Sequence, residues 1–387
     1  MTNRERILAA LNYEPYDRLP IMHFGFLAET LTRWKNEGHL TEDEYHQALA
    51  GDADVRLEHL TKKLGFDLAY HRVFSPSHGI VPGFETRVIE TLPDGSQKIQ
   101  TYNGVIVLRR EGATGIPMEF DHILKGRKEW DELFRPRLQF FMERVTGGWV
   151  NCETEMKPFN QGGLDYLKQP NRKDHYLLHC GSLYGSIRDI VGMENLCYLI
   201  ADDPDLVIEM IDVTAELCYQ NTRAALETGA LFDIGHFWED ICFRSGPLVN
   251  PNFFAKHVGP HYKRITDLLS SYGINLVSLD CDGKIDALVP IWLENGVNVM
   301  FPIEVGTWDA SIAEWRKLYG KQVRGVGGMR KHVLAQDYAA IDKEVERLKE
   351  LVDLGGYIPC PDHRIADDAI WENVQYYTDA LRKALNA

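Results

Sequence analysis

The sequence predicts an α/β protein that folds as a single (β/α)8 barrel, with N-terminal helices and a β-hairpin insertion. Two observations predict this fold. Short apolar runs alternate with helical patterns along most of the 387 residues, and eight such runs can be recognised. Eight strands that alternate with helices are typical of a parallel barrel. Because such barrels reach about 400 residues when they carry insertions, one domain, residues 1–387, accounts for the whole chain.

The elements follow one another in a regular order. A helix is predicted first, since Thr2 and Glu5 have the spacing of an N-terminal capping box. A final helix is expected at about 367–386. The eight predicted strands between them are Ile21–Gly25, Phe66–His71, Tyr176–Cys180, Leu231–Gly235, Asn275–Leu279, Val297–Phe301, Val323–Val326 and Gly356–Ile358.

One region, residues 84–120, departs from the alternation of strand and helix. β-branched residues alternate there with polar ones on both sides of Asp94 and Gly95. An Asp-Gly pair between alternating runs is a strong hairpin signal. We therefore predict a β insertion on the barrel, not a separate domain.

Composition excludes several classes of function. The chain has 42 Lys and Arg against 57 Asp and Glu, a net charge of −15, which argues against a nucleic-acid partner. No apolar stretch approaches the length of about 20 residues that a membrane helix needs, and the charged start does not resemble a signal peptide. The seven cysteines are scattered, with no CxxC pair, as in a protein of the reducing cytoplasm.

Chemistry is expected where the strands end, because active sites of such barrels lie at the carboxyl ends of the strands. Asp280 and Asp282 follow the fifth run and, being two residues apart, should point to the same side. With Glu304 after the sixth run and His363 after the eighth, they could bind zinc, which accepts carboxylate and histidine ligands. Without a cation, these carboxyls would share protons, because like charges raise one another's pKa.

The same ring supplies the other candidates. The predicted catalytic residues are Asp280, Asp282, His363 and Glu239, and the predicted substrate-binding residues are His23, His236, Trp238, Met329, Arg330 and Tyr357. Structural roles are open for many of them. Asp-x-Asp-Gly is common in turns, His363 could cap the last loop, and Glu239 or Asp240 could be a first-turn helix acid. Phe237, Trp238 and Tyr357 could equally pack in the core. Cys281 alternates with the two aspartates and is expected to face away from them.

Three groups of motifs resemble the uroporphyrinogen-decarboxylase-like proteins. They are Arg4–Leu11 with Asp17–Pro20, Ser245–Pro251 with Gly259–Lys263, and Gly355–Pro359 with Trp371–Asn373. The resemblance spans nearly the whole chain, and it implies a single (β/α)8 barrel.

The decarboxylase branch of that family holds the carboxylates of a tetrapyrrole with an Arg-rich segment after the first strand. Here the segment is His23–Glu29, which contains no Arg. A polyanionic porphyrinogen would meet no matching cation there, so this reaction is disfavoured.

The other branch consists of corrinoid-dependent methyltransferases. Its zinc motif, His-x-Cys after strand five and Cys after strand eight, falls on Asp280-Cys281-Asp282 and on His363, and a further acidic ligand falls near Glu304. Without thiolates, the set is better suited to polarising an ether, alcohol or amine leaving group than to activating a thiol.

The resemblance therefore implies an O-demethylase-type methyltransferase. It would move a methyl group from a small O-methyl (aryl ether-like) or N-methyl substrate to the Co(I) corrinoid of a partner protein that docks at the barrel mouth. Zinc is the implied metal, and a homodimer is compatible with the sequence.

Two alternatives stay open. The first is a decarboxylase or lyase that acts on a small carboxylate or a tetrapyrrole, with Arg330 or Arg364 as the carboxylate anchor. The second is a non-catalytic barrel that binds a corrinoid or tetrapyrrole. The absence of an Asp-x-His-x-x-Gly run disfavours a corrinoid carrier.

Overall fold

The computed structural model describes residues 1–51, 56–110 and 117–385. The strands are β1 (Met22–His23), β2 (Leu68–Ala69), β3 (Val73–Phe74), β4 (Arg87–Thr91), β5 (Gln97–Gln100), β6 (Val105–Arg109), β7 (Met118–His122), β8 (Trp149–Asn151), β9 (Met156–Pro158), β10 (Leu177–His179), β11 (Ile234–Trp238), β12 (Cys242–Phe243), β13 (Gly246–Pro247), β14 (Val277–Asp280), β15 (Val299–Ile303), β16 (Arg324–Met329) and β17 (Tyr357–Pro361).

Helices fill most of the chain between these strands. The α-helices are α1 (Asn3–Leu11), α2 (Ala28–Asn36), α3 (Glu42–Ala50), α4 (Glu58–Lys63), α5 (Arg127–Glu129), α6 (Glu143–Thr146), α7 (Leu164–Leu167), α8 (Gly185–Val191), α9 (Met193–Asp202), α10 (Pro204–Glu227), α11 (Pro251–His257), α12 (Gly259–Ser271), α13 (Val289–Glu294), α14 (Val305–Trp308), α15 (Ile312–Tyr319), α16 (Tyr338–Val352) and α17 (Trp371–Leu385). Short π-helical or 3₁₀ turns occupy Trp130–Phe134, Arg135–Leu138, Phe159–Gly163, Gly320–Gln322 and Lys331–Ala335.

Parallel strands form the centre of the molecule. Within the described ranges, seven of them pair in the order β17-β16-β15-β14-β11-β10-β3, and β1 pairs with β2 beside them. The edges of the two groups adjoin: the backbone N–H of Leu177 donates to Arg72 O, which lies between β2 and β3. On the other side, Ile365 N–H donates to Gly25 O at 3.1 Å. Each of the eight predicted runs thus contains a strand of this parallel set.

The last five of the eight strands all extend beyond their predicted ends, by one to three residues. β11 runs from Ile234 to Trp238, whereas the sequence placed its end at Gly235. His236, Phe237 and Trp238 therefore belong to the strand, and successive side chains among them point to opposite faces. Asp280 is likewise the last residue of β14 and does not belong to the following loop.

The core has two parts because side chains alternate along each strand. Leu177, Val299 and Phe301 face the inner cluster, which the strands surround. Leu178 and Met300 face the outer cluster, between the strands and the helices. Because of this alternation, every second side chain of a strand points to the inner side of the parallel strands.

Helix α1 covers the amino-terminal end of the strands. Its predicted capping box is confirmed, since Thr2 accepts from Glu5 N–H and Glu5 accepts from Thr2 N–H. Ile7 and Leu11 of this helix are fully buried in the inner cluster. The end of the molecule opposite the expected active site is therefore sealed by apolar packing.

The predicted insertion is a four-stranded antiparallel sheet, β4-β5-β6-β7. Its first hairpin turns at Asp94 and Gly95 as expected, with Gly95 at a φ of 82° and Asp94 Oδ1 accepting from Ser96 N–H at 3.0 Å. The sheet continues to His122, and residues 111–116 of the predicted segment lie outside the described residues.

Helix α10 is the longest of the described helices, with 24 residues. It begins in the expected way, since Asp203 accepts from Leu206 N–H and Pro204 occupies the first turn. Polar residues interrupt its apolar ones along its whole length. None of the helices in the described ranges has the length and apolar character of a membrane span.

Candidate active site

A cavity of about 970 Å³ opens where the parallel strands end. This volume lies in the range of small-molecule sites. Its wall combines aromatic, acidic and basic groups. The lining residues that bear these groups are Phe24, Phe26, Glu29, Arg56, His71, Arg72, His179, His236, Trp238, Asp240, Asp280, Asp282, His363 and Arg364.

Three carboxyl groups share this cavity. Carboxylate oxygens of Asp240, Asp280 and Asp282 lie within 4.8 Å of one another, and Asp240 Oδ1 accepts from Asp282 N–H at 3.1 Å. Burial, and then the charge of Asp282, raises the pKa of Asp240 to about 6. Burial and the two neighbouring aspartates raise the pKa of Asp280 well above its usual value. The group therefore favours taking up a proton or a cation.

Asp240 also has an unusual backbone. Its φ is 47°, in the left-handed region that residues with a Cβ rarely adopt. Such a conformation persists only where the surrounding structure imposes it, and it is found preferentially at functional sites. Here it turns the chain sharply just past β11 and keeps the Asp240 carboxyl beside Asp282.

Two imidazoles lie beside Asp280. His71 Nε2 and His236 Nε2 are 3.2 Å apart. One nitrogen of each ring and an Asp280 carboxylate oxygen lie within 4.8 Å of one another. His236 is fully buried, and its Nδ1 is 3.1 Å from Ser278 Oγ. Burial, with the neighbouring His71 and His179, lowers the pKa of His236 well below its usual value. The ring is therefore neutral, which is the form that binds metals or accepts a proton.

The structure brings five of the predicted site residues to this cavity: Asp280, Asp282, His363, His236 and Trp238. His363 Nε2 lies 3.3 Å from Asp282 Oδ2. As expected, Asp280 and Asp282 both face the cavity, while the intervening Cys281 is buried in the outer core.

The four predicted metal ligands do not converge. Glu304 is absent from the described wall of the cavity, since its carboxylate accepts from Gly283 N–H at 2.5 Å and from Thr307 Oγ1 at 3.1 Å. Among the described residues, neither Glu304 nor His363 belongs to a group of three side chains whose donor atoms meet. The predicted set therefore does not meet at one point, although, besides burial, the charges of Asp282 and His363 lie close enough to shift the pKa of Glu304.

Glu239 is a structural residue, contrary to the prediction that it is catalytic. It is 1% exposed, and its carboxylate accepts from the N–H groups of Leu183, Tyr184 and Gly185 at 2.7–3.0 Å. The Tyr262 hydroxyl also donates to it. Because it follows Trp238 in an extended chain, it points away from the cavity and fixes the start of α8.

Four of the predicted substrate contacts lie outside the described cavity wall. His23 is fully buried between Thr61 and Gly25, and Tyr357 is a buried core residue whose hydroxyl donates to Gly327 O at 2.7 Å. Met329 is buried in the outer core, and Arg330 forms ion pairs with Asp309 and Glu344. Phe237, the other suggested wall residue, is core as well.

Sequence reasoning missed His71, His179 and Asp240 as cavity residues. His71 ends the predicted second strand, so the rule that was applied to the other strand ends could have identified it. For Asp240 the sequence left a substrate contact and a first-turn helix acid about equally open. The segment 23–29 does lack Arg, but Arg56, Arg72 and Arg364 reach the cavity from other parts of the chain. Their positions depend on pairings that the sequence does not display.

Comparison with known proteins finds one family model and similar solved structures. The family model described as "Uroporphyrinogen decarboxylase (URO-D)" matches residues 185–384, just over half of the chain. A methyltransferase from Methanosarcina mazei has a similar structure, with a TM-score of 0.59 and 16% identity over 99% of each chain. A B12-independent methionine synthase from Shewanella sp. W3-18-1 gives a TM-score of 0.45 and 12% identity, over 95% of this chain and 96% of that one. No curated protein sequence matches the chain.

Proposed function

The chain belongs to the uroporphyrinogen decarboxylase family, whose fold is the TIM barrel, and on that basis we propose that it is a corrinoid-dependent methyltransferase. It moves a methyl group from a small O-methyl or N-methyl substrate to the Co(I) corrinoid of a partner protein. The fold that it shares with the Methanosarcina mazei methyltransferase is compatible with this proposal.

One observation carries the proposal: three carboxyl groups and two imidazoles meet in a single cavity at the strand ends. Methyl ethers and amines are poor methyl donors because their leaving atoms are poor leaving groups. A proton donor or a Lewis acid at that atom lowers the barrier. A crowded acidic cluster is able to supply either.

In the proposed transfer, the bond between the methyl carbon and its oxygen or nitrogen breaks, and the electron pair stays on that heteroatom. The heteroatom takes a proton, which we assign to the Asp240 carboxyl. The methyl carbon forms its new bond with the electron pair of the acceptor's Co(I), so no further oxidant or reductant is needed.

The cavity wall supports a flat donor. Phe24, Phe26 and Trp238 line it, and Trp238 remains 44% exposed at the rim. Phe243, in the hairpin that follows β11, is 63% exposed, and its carbonyl accepts from Lys284 N–H just past β14. The open, aromatic rim suits an acceptor that is carried by another protein and presents one face to the cavity.

Anaerobic methyl transfer tests the proposal. Purified protein is mixed with cob(I)alamin and a panel of methoxyarenes and methylamines, and loss of the Co(I) absorbance is followed. We expect at least one donor to react. In Asp240→Asn the rate should fall about 100-fold or more, which is the usual size of a general-acid contribution.

A matched control separates loss of chemistry from loss of charge. Asp212→Asn also removes one carboxyl, but from the exposed face of α10, where it pairs with His261. It should react at the wild-type rate. A failure of every donor with wild-type protein, or an Asp240→Asn rate equal to wild type, would contradict the proposal.

A second function, decarboxylation of a small carboxylate, is favoured by one observation. Arg364, the alternative carboxylate anchor, does line the cavity together with Arg56 and Arg72, whereas Arg330 does not. Release of labelled CO2 from a panel of small aromatic and aliphatic acids would support this function, if no methyl donor reacts.

A further inference from the structure

The pair formed by His71 and His236 has the geometry of metal ligands. Each ring contributes Nε2, and the two nitrogens are 3.2 Å apart. Two tetrahedral zinc ligands with bonds of 2.0–2.1 Å lie about 3.3 Å from each other. An Asp280 carboxylate oxygen and one nitrogen of each of these rings lie within 4.8 Å of one another.

The surroundings hold these rings in place. Ser278 Oγ is 3.1 Å from His236 Nδ1, which fixes the orientation of the ring and directs Nε2 towards His71. A hydrogen bond to the second nitrogen is the usual support of a metal-binding histidine. The three residues come from the region after β2, from β11 and from the end of β14, and the pairing of β11 with β14 sets the separation of His236 and Asp280.

Charge also favours a cation at this point. Asp280 is 5% exposed, and the carboxylates of Asp240 and Asp282 lie within 4.8 Å of it. Such a group is costly in a low-dielectric interior unless positive charge compensates it, from a bound cation or from arginines such as Arg364 in the same cavity wall. The ligand set of two nitrogens and one oxygen suits zinc and similar divalent transition metals better than Mg²⁺ or Ca²⁺.

We propose that His71, His236 and Asp280 bind one divalent transition metal ion, zinc in the first place, at the floor of the cavity. This site shares only Asp280 with the set that the sequence suggested. Three protein ligands leave a coordination position open towards the cavity, where a substrate atom can reach it. The site requires no assumption about the reaction.

Metal stoichiometry tests the assignment. Full-length protein is stripped with a chelator, loaded with Zn²⁺ or Co²⁺, desalted and measured by mass spectrometry of the metal. We expect about one ion per chain in wild-type protein. Retention should fall at least about tenfold in His71→Ala and in His236→Asn, and the visible spectrum of the Co²⁺ form should be lost with it.

Two further variants make the test specific. His179→Gln changes another cavity histidine, whose ring centre is 6.1 Å from that of His236, and it should keep the metal. His363→Ala removes a ligand of the sequence-derived set and should also keep it. Circular dichroism confirms that each variant is folded, and the part-buried His71 gives a usable variant if His236→Asn does not fold.

The proposed metal site is wrong if wild-type protein retains no metal. His71 and His236 would then be joined only by a hydrogen bond. The proposed site is also wrong if His363→Ala loses the ion while His71→Ala keeps it. Neither outcome depends on finding a methyl donor.

Discussion

At the scale of single residues, His23 shows how burial decides the state of an ionisable group. Its Nδ1 accepts from Gly25 N–H at 2.9 Å, so its Nε2 carries the proton and donates to Thr61 Oγ1 at 2.9 Å. Burial lowers the pKa of His23 to about 3. The ring is therefore a neutral structural link between β1 and α4.

This histidine should make the fold sensitive to acid. The pKa of His23 is about 3 when folded and about 6.5 when unfolded. The stabilisation that the neutral ring contributes is thus fully present above pH 6.5 and is lost as the pH falls towards 3. At pH 5.5 the free energy of unfolding is lower by about 1.4 kcal/mol for this reason. Urea unfolding at pH 7.5 and 5.5 should show a smaller acid-induced drop in His23→Asn than in wild-type protein. An equal drop in both proteins would exclude this role.

The sequence could identify some site residues and not others. Asp280 and Asp282 were recognisable because their spacing forces a common direction and Cys281 takes the opposite one. His23, Glu239 and Tyr357 have equally suggestive positions. Their burial depends on partners, such as Thr61, Tyr262 and the Gly327 carbonyl, that are far away in the chain.

At the scale of elements, the turn from β10 into α8 depends on one carboxylate. Glu239 collects three backbone N–H groups that would otherwise be unsatisfied at the start of this helix. A Cβ at Gly185 would lie 1.9 Å from the Glu239 carbonyl oxygen, so the two segments are packed without spare room.

Glu239→Gln should therefore destabilise the protein, although it keeps the size of the side chain. Hydrogen bonds to a charged acceptor contribute about 1.5–3 kcal/mol each, so we expect a loss of about 3 kcal/mol or more in the free energy of unfolding. Chemical denaturation measures it. Glu346→Gln, on the exposed face of α16, is the control and should be within about 0.5 kcal/mol of wild type. A Glu239→Gln variant as stable as that control would contradict the structural role.

The existence of the elements was more predictable than their ends. All eight apolar runs contain a parallel strand, and the Asp94-Gly95 hairpin is where the sequence placed it. The ends of β11, β16 and β17 were each misplaced by three residues, and at β11 the cause is that Gly235 resembles a strand terminator. Its φ is not among the positive ones, and the chain continues through it in extended form.

At the scale of the whole molecule, the two ends of the parallel strands differ in structure. The amino-terminal end is sealed by α1, with Arg324 Nε donating to Leu11 O at 2.7 Å. The carboxyl-terminal end holds the cavity. Barrels commonly separate stability and chemistry in this way.

Leu11→Ala should test that separation. The side chain is fully buried, so its truncation should cost about 2–5 kcal/mol in the free energy of unfolding. Well below the melting temperature, metal retention and methyl-transfer rate should equal those of wild-type protein. A loss of metal in folded Leu11→Ala would mean that the two ends are coupled.

The crowding of Asp240, Asp280 and Asp282 has a consequence for engineering. Three carboxyls in one cavity repel one another, and Asp240 adds an unfavourable backbone angle. Neutral residues at 240 and 282 would remove the repulsion, and Gly at 240 would also remove the backbone strain. A redesign guided by stability alone would therefore choose these changes first. Such thermostabilised versions would lose the carboxyl groups on which the proposed reaction depends, which is the usual trade-off between stability and activity. Attempts to stabilise this protein should therefore leave positions 240 and 282 unchanged.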